Sequence, residues 1–275
     1  MRKWLITGVS SGFGRMLAEA ALEQGDSVVG TLRKTEQAAD FEALAPGRAK
    51  AVVLDVTDLD RIDSSVEEAI AALGNIDVLV NNAGYGLFGA LEEVSSEEIL
   101  KVMDTNFTGA LFLTRAVIPY MRRSGGGHIV NFSSMAGIVG IPGGSIYSAA
   151  KFALEGLSEA LAGELAPFGI RVTLVEPGGF RTNFAGGSLA LAKQQIKDYA
   201  ATPAGQARTH MSDYLGQEPG DPAKGAQAIL HMLESPQPPL RLVLGADAVA
   251  AIRGKLKRVH ADIDAWEDVA VNTAI

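Results

Sequence analysis

The chain has no cysteine in its 275 residues, which excludes disulfides, thiolate nucleophiles and Cys-ligated metals. Histidine is scarce: the four, at 128, 210, 231 and 260, show no H-E-x-x-H or similar ligand spacing, so no metal site is expected. Positive charge is not in excess. Against 24 Lys+Arg stand 32 Asp+Glu, a net charge of −8, which offers no cationic face to nucleic acid or anionic lipid. No apolar run approaches the ~20 residues that cross a bilayer. Met1-Arg2-Lys3-Trp4-Leu5-Ile6 begins like a signal peptide, but its apolar stretch stops at Thr7-Gly8, short of a signal core. The expectation is a soluble, cytoplasmic protein with no nucleic-acid or membrane partner.

What is present is a large apolar fraction, 47%, with 20% charged residues, enough for one large domain with a full core. Short apolar runs at Trp4–Thr7, Ser27–Leu32, Ala51–Leu54, Val78–Asn81, His128–Phe132, Arg171–Val175 and Leu240–Leu244 predict strands. Amphipathic stretches at Gly14–Glu23, Leu59–Leu73, Ser96–Arg123, Ser148–Ala166 and Pro222–Leu233 predict helices between them. Such alternation implies parallel pairing through right-handed crossovers. Strands apolar on both faces imply helices on both sides of the sheet. The chain therefore predicts a single α/β domain over 1–275, a doubly wound, Rossmann-type parallel sheet of seven strands. No repeat period is present. The glycines at 125–127 suit a helix C-cap and a turn. Residues from Phe180 to about Gly220 break the alternation. So long an irregular segment in a compact domain suggests a lid at about 180–220. Residues 246–269 look like one or two helices.

Thr7-Gly8-Val9-Ser10-Ser11-Gly12-Phe13-Gly14 follows the first strand and opens the first helix. Glycines there let the backbone turn tightly and approach a pyrophosphate at the helix N-terminus, where free N–H groups favour an anion. The same residues satisfy G-x-S-x-G, a hydrolase elbow with Ser10 as nucleophile. That alternative fails on topology, since the elbow needs earlier strands to supply an oxyanion loop and only seven residues precede Gly8. NAD binders usually place Asp or Glu at the end of the second strand. Here the strand ends Thr31-Leu32-Arg33-Lys34, and a guanidinium suits a 2′-phosphate, so NADP is favoured over NAD. Asp55, at the end of the third strand, can accept the adenine amino proton or cap the helix starting near Asp58. Asn81-Asn82-Ala83-Gly84 ends the fourth strand and either admits a flat ring or forms a plain turn.

Residues 147 to 151 read Tyr-Ser-Ala-Ala-Lys, and Ser134 sits thirteen positions upstream. Residues i and i+4 stack on one helix face. An ammonium beside a phenol favours the phenolate, giving a usable proton donor and acceptor near neutral pH. The shift required is roughly 3 units, or about 4 kcal/mol. One cation about 4 Å away in a partly screened site supplies a similar amount. Alone, Y-x-x-x-K occurs by chance in many helices.

Together these motifs resemble the short-chain dehydrogenase/reductase family. T-G-x-x-x-G-x-G, Asp55, N-N-A-G, Asn106, Ser134, Y-x-x-x-K and Pro177-Gly178-x-x-x-Thr182 occur in family order from residue 3 to about 182, with Leu-Gly-x-Asp at 244–247. The resemblance implies that Ser134 and Tyr147 hold the substrate oxygen, with Tyr147 exchanging the proton. Lys151 binds the nicotinamide ribose and lowers the tyrosine pKa, and Asn106 holds a water linking Lys151 to solvent. The family offset selects Ser134 over Ser133. Cofactor contacts are implied at Gly8, Ser10, Ser11, Gly12, Phe13, Gly14, Arg33, Asp55, Val56, Asn82, Ala83, Gly84, Tyr147, Lys151, Pro177, Gly178, Phe180 and Thr182. Thr31-Leu32-Arg33 and the ending Leu-Gly-Ala-Asp-Ala resemble the 17β-hydroxysteroid dehydrogenase-like branch. There the equivalents of Ser10 and Arg33 meet the 2′-phosphate, and family members often pair through the long helices, implying a homodimer or homotetramer.

The expected function is an NADP-dependent oxidoreductase moving a hydride between the cofactor and a carbonyl or secondary alcohol. Of Phe180, Phe184, Leu189, Leu191, Tyr199, Met211 and Tyr214, some must pack on the body and the remainder suggest a pocket for a bulky apolar substrate, with small polar ones still open. Two other classes are weighed. An epimerase or dehydratase on this scaffold needs a further acid or base, with His210 the one candidate. A non-catalytic dinucleotide sensor needs no Ser134, Tyr147, Lys151 and Asn106.

Overall fold

The computed structural model describes residues 1–182, 189–213 and 217–273. Its strands are β1 (Lys3–Thr7), β2 (Ser27–Leu32), β3 (Ala49–Val53), β4 (Val78–Asn81), β5 (Gly86–Phe88), β6 (Gly127–Phe132), β7 (Ile170–Pro177), β8 (Leu189–Leu191) and β9 (Arg241–Leu244). Its α-helices are α1 (Gly12–Glu23), α2 (Ala38–Glu42), α3 (Leu59–Leu73), α4 (Ser96–Met103), α5 (Gly109–Arg123), α6 (Ser145–Leu165), α7 (Pro203–Asp213), α8 (Pro222–Glu234) and α9 (Ala246–Val271).

Seven strands form one parallel sheet in the order β3-β2-β1-β4-β6-β7-β9. The side-chain period of two explains how the sheet serves two cores. Trp4 and Ile6 of β1 join the core under α1 and α8, with Leu17, Val28, Val80 and Ile229. Leu5, between them, joins the opposite core under α3 and α5, with Val29, Leu79, Val66 and Val117. Each such fully buried side chain contributes about 1.5–3 kcal/mol of transfer free energy. The seven-stranded, doubly wound architecture is the one the sequence predicts.

The chain leaves β1 toward β2 and β3, then crosses to β4 on the other side of β1. The order reverses between β1 and β4, and ligands bind open parallel sheets in the crevice at such a point. The turns after these two strands are Thr7–Gly14 and Asn81–Gly84.

Local signals set the helix ends. Ser95 caps α4 through a box in which Glu98 N–H donates to Ser95 Oγ (3.2 Å) and Ser95 N–H donates to Glu98 Oε2 (2.9 Å). Asp221 caps α8, accepting from Ala223 N–H at 2.9 Å, with Pro222 at the first position. The segment Ser96–Arg123, predicted as one helix, is two. A π turn at Asp104–Thr108 separates α4 from α5 and carries Asn106. The stretch after Phe180, predicted to be irregular, holds β8, a 3₁₀ turn (Lys197–Tyr199) and α7. β8 pairs in parallel with β5 as a separate two-stranded sheet. Three residues per strand are too few for a period of two to register in sequence.

Candidate active site

Thr7 organises the crevice. Its hydroxyl accepts from the N–H groups of Asn82 and Ala83, both at 2.9 Å. Asn82 answers with its side-chain amide, donating to the carbonyls of Thr7 (2.8 Å) and Gly8 (3.2 Å). The turns after β1 and β4 are thereby bonded in both directions. Gly8 and Gly12 have φ of +72° and +62°, in the left-handed region where a side chain is strained. A Cβ at Gly14 would stand 2.4 Å from Asn82 Nδ2 and 2.5 Å from the Gly8 carbonyl oxygen. The helix can approach the turn this closely only without one. Ser11 sits at the N-cap of α1 in extended conformation, and its side chain makes no capping bond.

The second cluster lies where β4 and β6 end beneath α6. Tyr147 and Lys151 share one face of α6 and are 7% and 5% exposed. The Lys151 ammonium lies 5.8 Å from the Tyr147 ring centroid and donates to the Phe132 carbonyl at 2.7 Å. Ser134, whose hydroxyl accepts from Ala136 N–H at 3.1 Å, also bonds the Tyr147 phenol. Asn106 is buried at 1% exposure and pairs with Tyr85 like a neighbouring strand. Its Nδ2 donates to the Tyr85 carbonyl, and its Oδ1 accepts from Tyr85 N–H, each at 2.8 Å. Gly84 lies between them: a Cβ there would stand 2.8 Å from Asn106 Oδ1 and 3.5 Å from Lys151 Nζ. The structure thus gathers Ser134, Tyr147, Lys151, Asn106 and Gly84. Ser133, the rejected neighbour, follows the end of β6 and is buried against Gly137 and Glu155.

Burial dominates the protonation of both groups. Burial pushes Tyr147 up to about 12, and the Ser134 hydrogen bond only partly opposes it. Burial also pulls Lys151 down to about 8, against the pull of Glu155 one turn further along α6. Desolvation wins because both groups are buried and the amine's short bond goes to the Phe132 carbonyl.

The remaining predicted residues divide. Pro177 ends β7, and Gly178 N–H donates to the Leu244 carbonyl at 2.9 Å. The loop then brings Thr182 back to the glycine-rich turn, where a Cβ at Gly12 would lie 3.7 Å from Thr182 Cβ. Phe180 packs at a tilt of 56° against Phe13 (4.9 Å between centroids), which packs on Phe132 (5.3 Å). The Phe180 side chain therefore belongs to the body. Asp55 does not cap α3. Its Oδ1 accepts from Thr57 N–H (3.0 Å) and Thr57 Oγ1 (2.8 Å) in a local turn. Val56 is buried. Its carbonyl oxygen lies 2.7 Å from where a Cβ on Gly109 would be. Ser10 and Arg33 are exposed, and no described residue forms an ion pair with Arg33. Phe184 and Tyr214 lie outside the described residues.

Two anchors were given no role by the sequence. Asp247 accepts from Gly179 N–H at 2.8 Å, which gives the Leu-Gly-x-Asp stretch its place: it pins the loop after β7. Glu93, 2% exposed, holds the segment carrying β8 and α7. Its carboxylate accepts from Ile196 N–H and Ala90 N–H, each at 2.8 Å, and from Arg208 Nη1 at 3.1 Å. Burial opposes the charge, but these donors outweigh it and hold Glu93 below the usual carboxylate range. Tyr199 OH donates to Glu92 at 3.0 Å nearby. No spacing rule links residue 93 to residue 208.

Residues 2–192 match the short chain dehydrogenase family. The chain belongs to that family. A short-chain dehydrogenase of known structure from Streptomyces avermitilis is 47% identical, covers 100% of both chains and superposes with a TM-score of 0.93. A 3-ketodihydrosphingosine reductase from Bacteroides thetaiotaomicron is 46% identical over 197 residues, 71% of each chain. Human 17-beta-hydroxysteroid dehydrogenase type 1 is 35% identical over 250 residues, 86% of this chain and 75% of that one. Membership makes the protein an NAD(P)-dependent oxidoreductase acting on CH–OH and C=O groups by hydride transfer. The residues present fit a dinucleotide: glycines 8, 12 and 14 leave a side-chain-free cradle, and the α1 N–H groups it exposes face no capping side chain. Among the described residues no helix is long and apolar enough to cross a membrane.

Proposed function

We propose that the protein interconverts a bulky apolar ketone and its secondary alcohol with NADP(H). The observation that carries this reading is the Ser134–Tyr147 hydrogen bond beside a buried Lys151, at the end of the sheet where β1 and β4 diverge. The cofactor's nicotinamide, when bound, supplies or accepts the hydride. Ser134 and Tyr147 hold the substrate oxygen as two donors, and Tyr147 gives it a proton in the reductive direction. A neutral phenol, held at about 12 by burial, is in the donating form at neutral pH. Lys151 binds the ribose and stabilises the phenolate left behind. Asn106 keeps the strand end at Tyr85 fixed and supports Lys151 across Gly84.

Gly8, Ser10, Ser11, Gly12, Phe13 and Gly14 cradle the pyrophosphate and flank the adenosine. Asp55 and Val56 meet the adenine, Asn82, Ala83 and Gly84 the nicotinamide ribose, and Pro177, Gly178 and Thr182 the nicotinamide side. Arg33, an exposed guanidinium after Leu32, supports NADP over NAD. The segment at about 180–220 is read as the substrate lid of a single domain, its described part 189–213 held by Glu93. The names of two relatives, 3-ketodihydrosphingosine reductase and 17-beta-hydroxysteroid dehydrogenase, describe large apolar substrates and support that class here. We place the protein in the cytoplasm and expect α4, α5 and α6 to provide a family-type dimer or tetramer contact. NADPH oxidation against a panel of long-chain and polycyclic ketones tests the reading. Turnover with these and not with small polar ketones supports it. Product formation without net cofactor loss would indicate an epimerase or lyase instead.

A further inference from the structure

Helix α9 is 26 residues long, yet its buried residues are Ala248 and Ile252, both in its first two turns. From His260 to Thr273 every residue is exposed. A helix wet on all sides has no use for an apolar stripe, but this one carries it. Leu256 is 49% exposed, Ile263 58% and Trp266 66%, with the half-buried Val259 between them. The steps from Ile252 through Leu256, Val259, Ile263 and Trp266 to Ala270 are 4, 3, 4, 3 and 4 residues, the spacing of a coiled-coil seam.

The charges are sorted along the same helix. Arg253, Lys255, Lys257 and Arg258 precede the midpoint, and Asp262, Asp264, Glu267 and Asp268 follow it. This order opposes the helix dipole, which favours cations near the C-terminus, so it does not serve the isolated helix. It is self-complementary when a second copy runs antiparallel. A membrane-surface helix would carry Lys and Arg along its whole polar face, and half of this one is acidic.

We propose that α9 pairs antiparallel with the α9 of a second copy about a two-fold axis near Ala261. Leu256 of each copy then meets Trp266 of the other, and Val259 meets Ile263. Arg253 flanks Glu267 across the seam, twice by symmetry. The seam runs into the buried Ile252, so the end of each helix reaches the body of the other copy. This contact is separate from the one expected through α4, α5 and α6.

The chain has no cysteine, so a single introduced thiol reports on one position. Near the axis, Asp262→Cys stands about 3 Å along the helix from its counterpart, whereas Glu267→Cys stands about 18 Å from its own. Treatment of the full chain with a short bismaleimide is expected to convert most Asp262→Cys, and little Glu267→Cys, to covalent dimer. Adding Ile263→Glu to Asp262→Cys is expected to cut that yield at least tenfold while leaving the circular dichroism of the fold intact. Equal yields from Asp262→Cys and Glu267→Cys would overturn the antiparallel pairing, as would no dimer from Asp262→Cys. A blue shift of Trp266 emission that occurs only on adding anionic phospholipid vesicles would overturn it in favour of a lipid surface.

Discussion

Replacing Gly14 with alanine sets two effects of opposite sign against each other. In a helix interior alanine is favoured over glycine by about 1 kcal/mol. Here the new methyl would lie 2.4 Å from Asn82 Nδ2 and 2.5 Å from the Gly8 carbonyl oxygen, where ordinary contact begins at 3.4 Å. Something must move by about 1 Å. Neither neighbour is free to do so. The Gly8 N–H is bonded to the Thr31 carbonyl at 3.0 Å, and Asn82 Nδ2 is held by the Thr7 carbonyl at 2.8 Å. Overpacking costs about 1–3 kcal/mol, and weakening the two Asn82 bonds adds about 1 kcal/mol each. The clash outweighs the propensity, for a net loss of about 2–4 kcal/mol, or several degrees in Tm. Because the displaced atoms belong to the proposed cofactor cradle, binding is expected to suffer with stability. Calorimetry is expected to show a lower Tm and an NADPH Kd raised about tenfold or more. A Tm that rises, with NADPH affinity unchanged, would show that the close approach of α1 to the Asn82 turn has no role in holding the dinucleotide.

Three other predictions rest on single contacts. His128 is buried, and its Nε2 lies 2.9 Å from Thr173 Oγ1, whose own proton goes to the Pro239 carbonyl. Burial lowers His128 to about 4, so the folded state resists a proton that the unfolded chain takes up near 6.5. Stability is retained above pH 6.5 and falls by about 3 kcal/mol on acidification toward pH 4; His128→Gln is expected to flatten urea midpoints across that window, and an unchanged slope would refute the assignment. Lys151→Met removes a cation 5.8 Å from the phenol ring, worth roughly 3 kcal/mol at an effective dielectric near 20. The pH at which alcohol oxidation appears should rise by about 2 units, and a superimposable profile would deny Lys151 its role. Glu93→Gln leaves Arg208 without its carboxylate and should raise the tryptic cleavage rate within residues 189–213 about tenfold while circular dichroism stays native; equal cleavage rates would mean the segment is held elsewhere.

The sheet was legible because each of its strands is long and apolar enough to declare itself, and the turns after β1 and β4 carry glycine and asparagine at the switch point. The pair β5 and β8 was not, being three residues each and joined across a hundred positions. The π turn at Asp104–Thr108 was hidden inside an unbroken helical pattern. Its reason is tertiary: Asn106 must face the Tyr85 backbone, and Gly109 must press on Val56. The pairing of Tyr147 with Lys151 followed from spacing on one helix, and the family resemblance added Ser134. Their protonation did not, because desolvation depends on burial that no motif states. Which of the large apolar residues after β7 pack on the body was not legible either: Phe180 does so, against Phe13 and Gly225, and only tertiary contacts show it.

The account's central claim is that the Tyr147 hydroxyl exchanges the proton with the substrate oxygen while Ser134 and Lys151 support it. The direct measurement is ketone-dependent NADPH oxidation by Tyr147→Phe, with NADPH affinity followed in parallel. Turnover is predicted to fall by about 10²–10⁴-fold while the NADPH Kd stays within about twofold of the parent. Turnover preserved in the absence of that hydroxyl would contradict the claim.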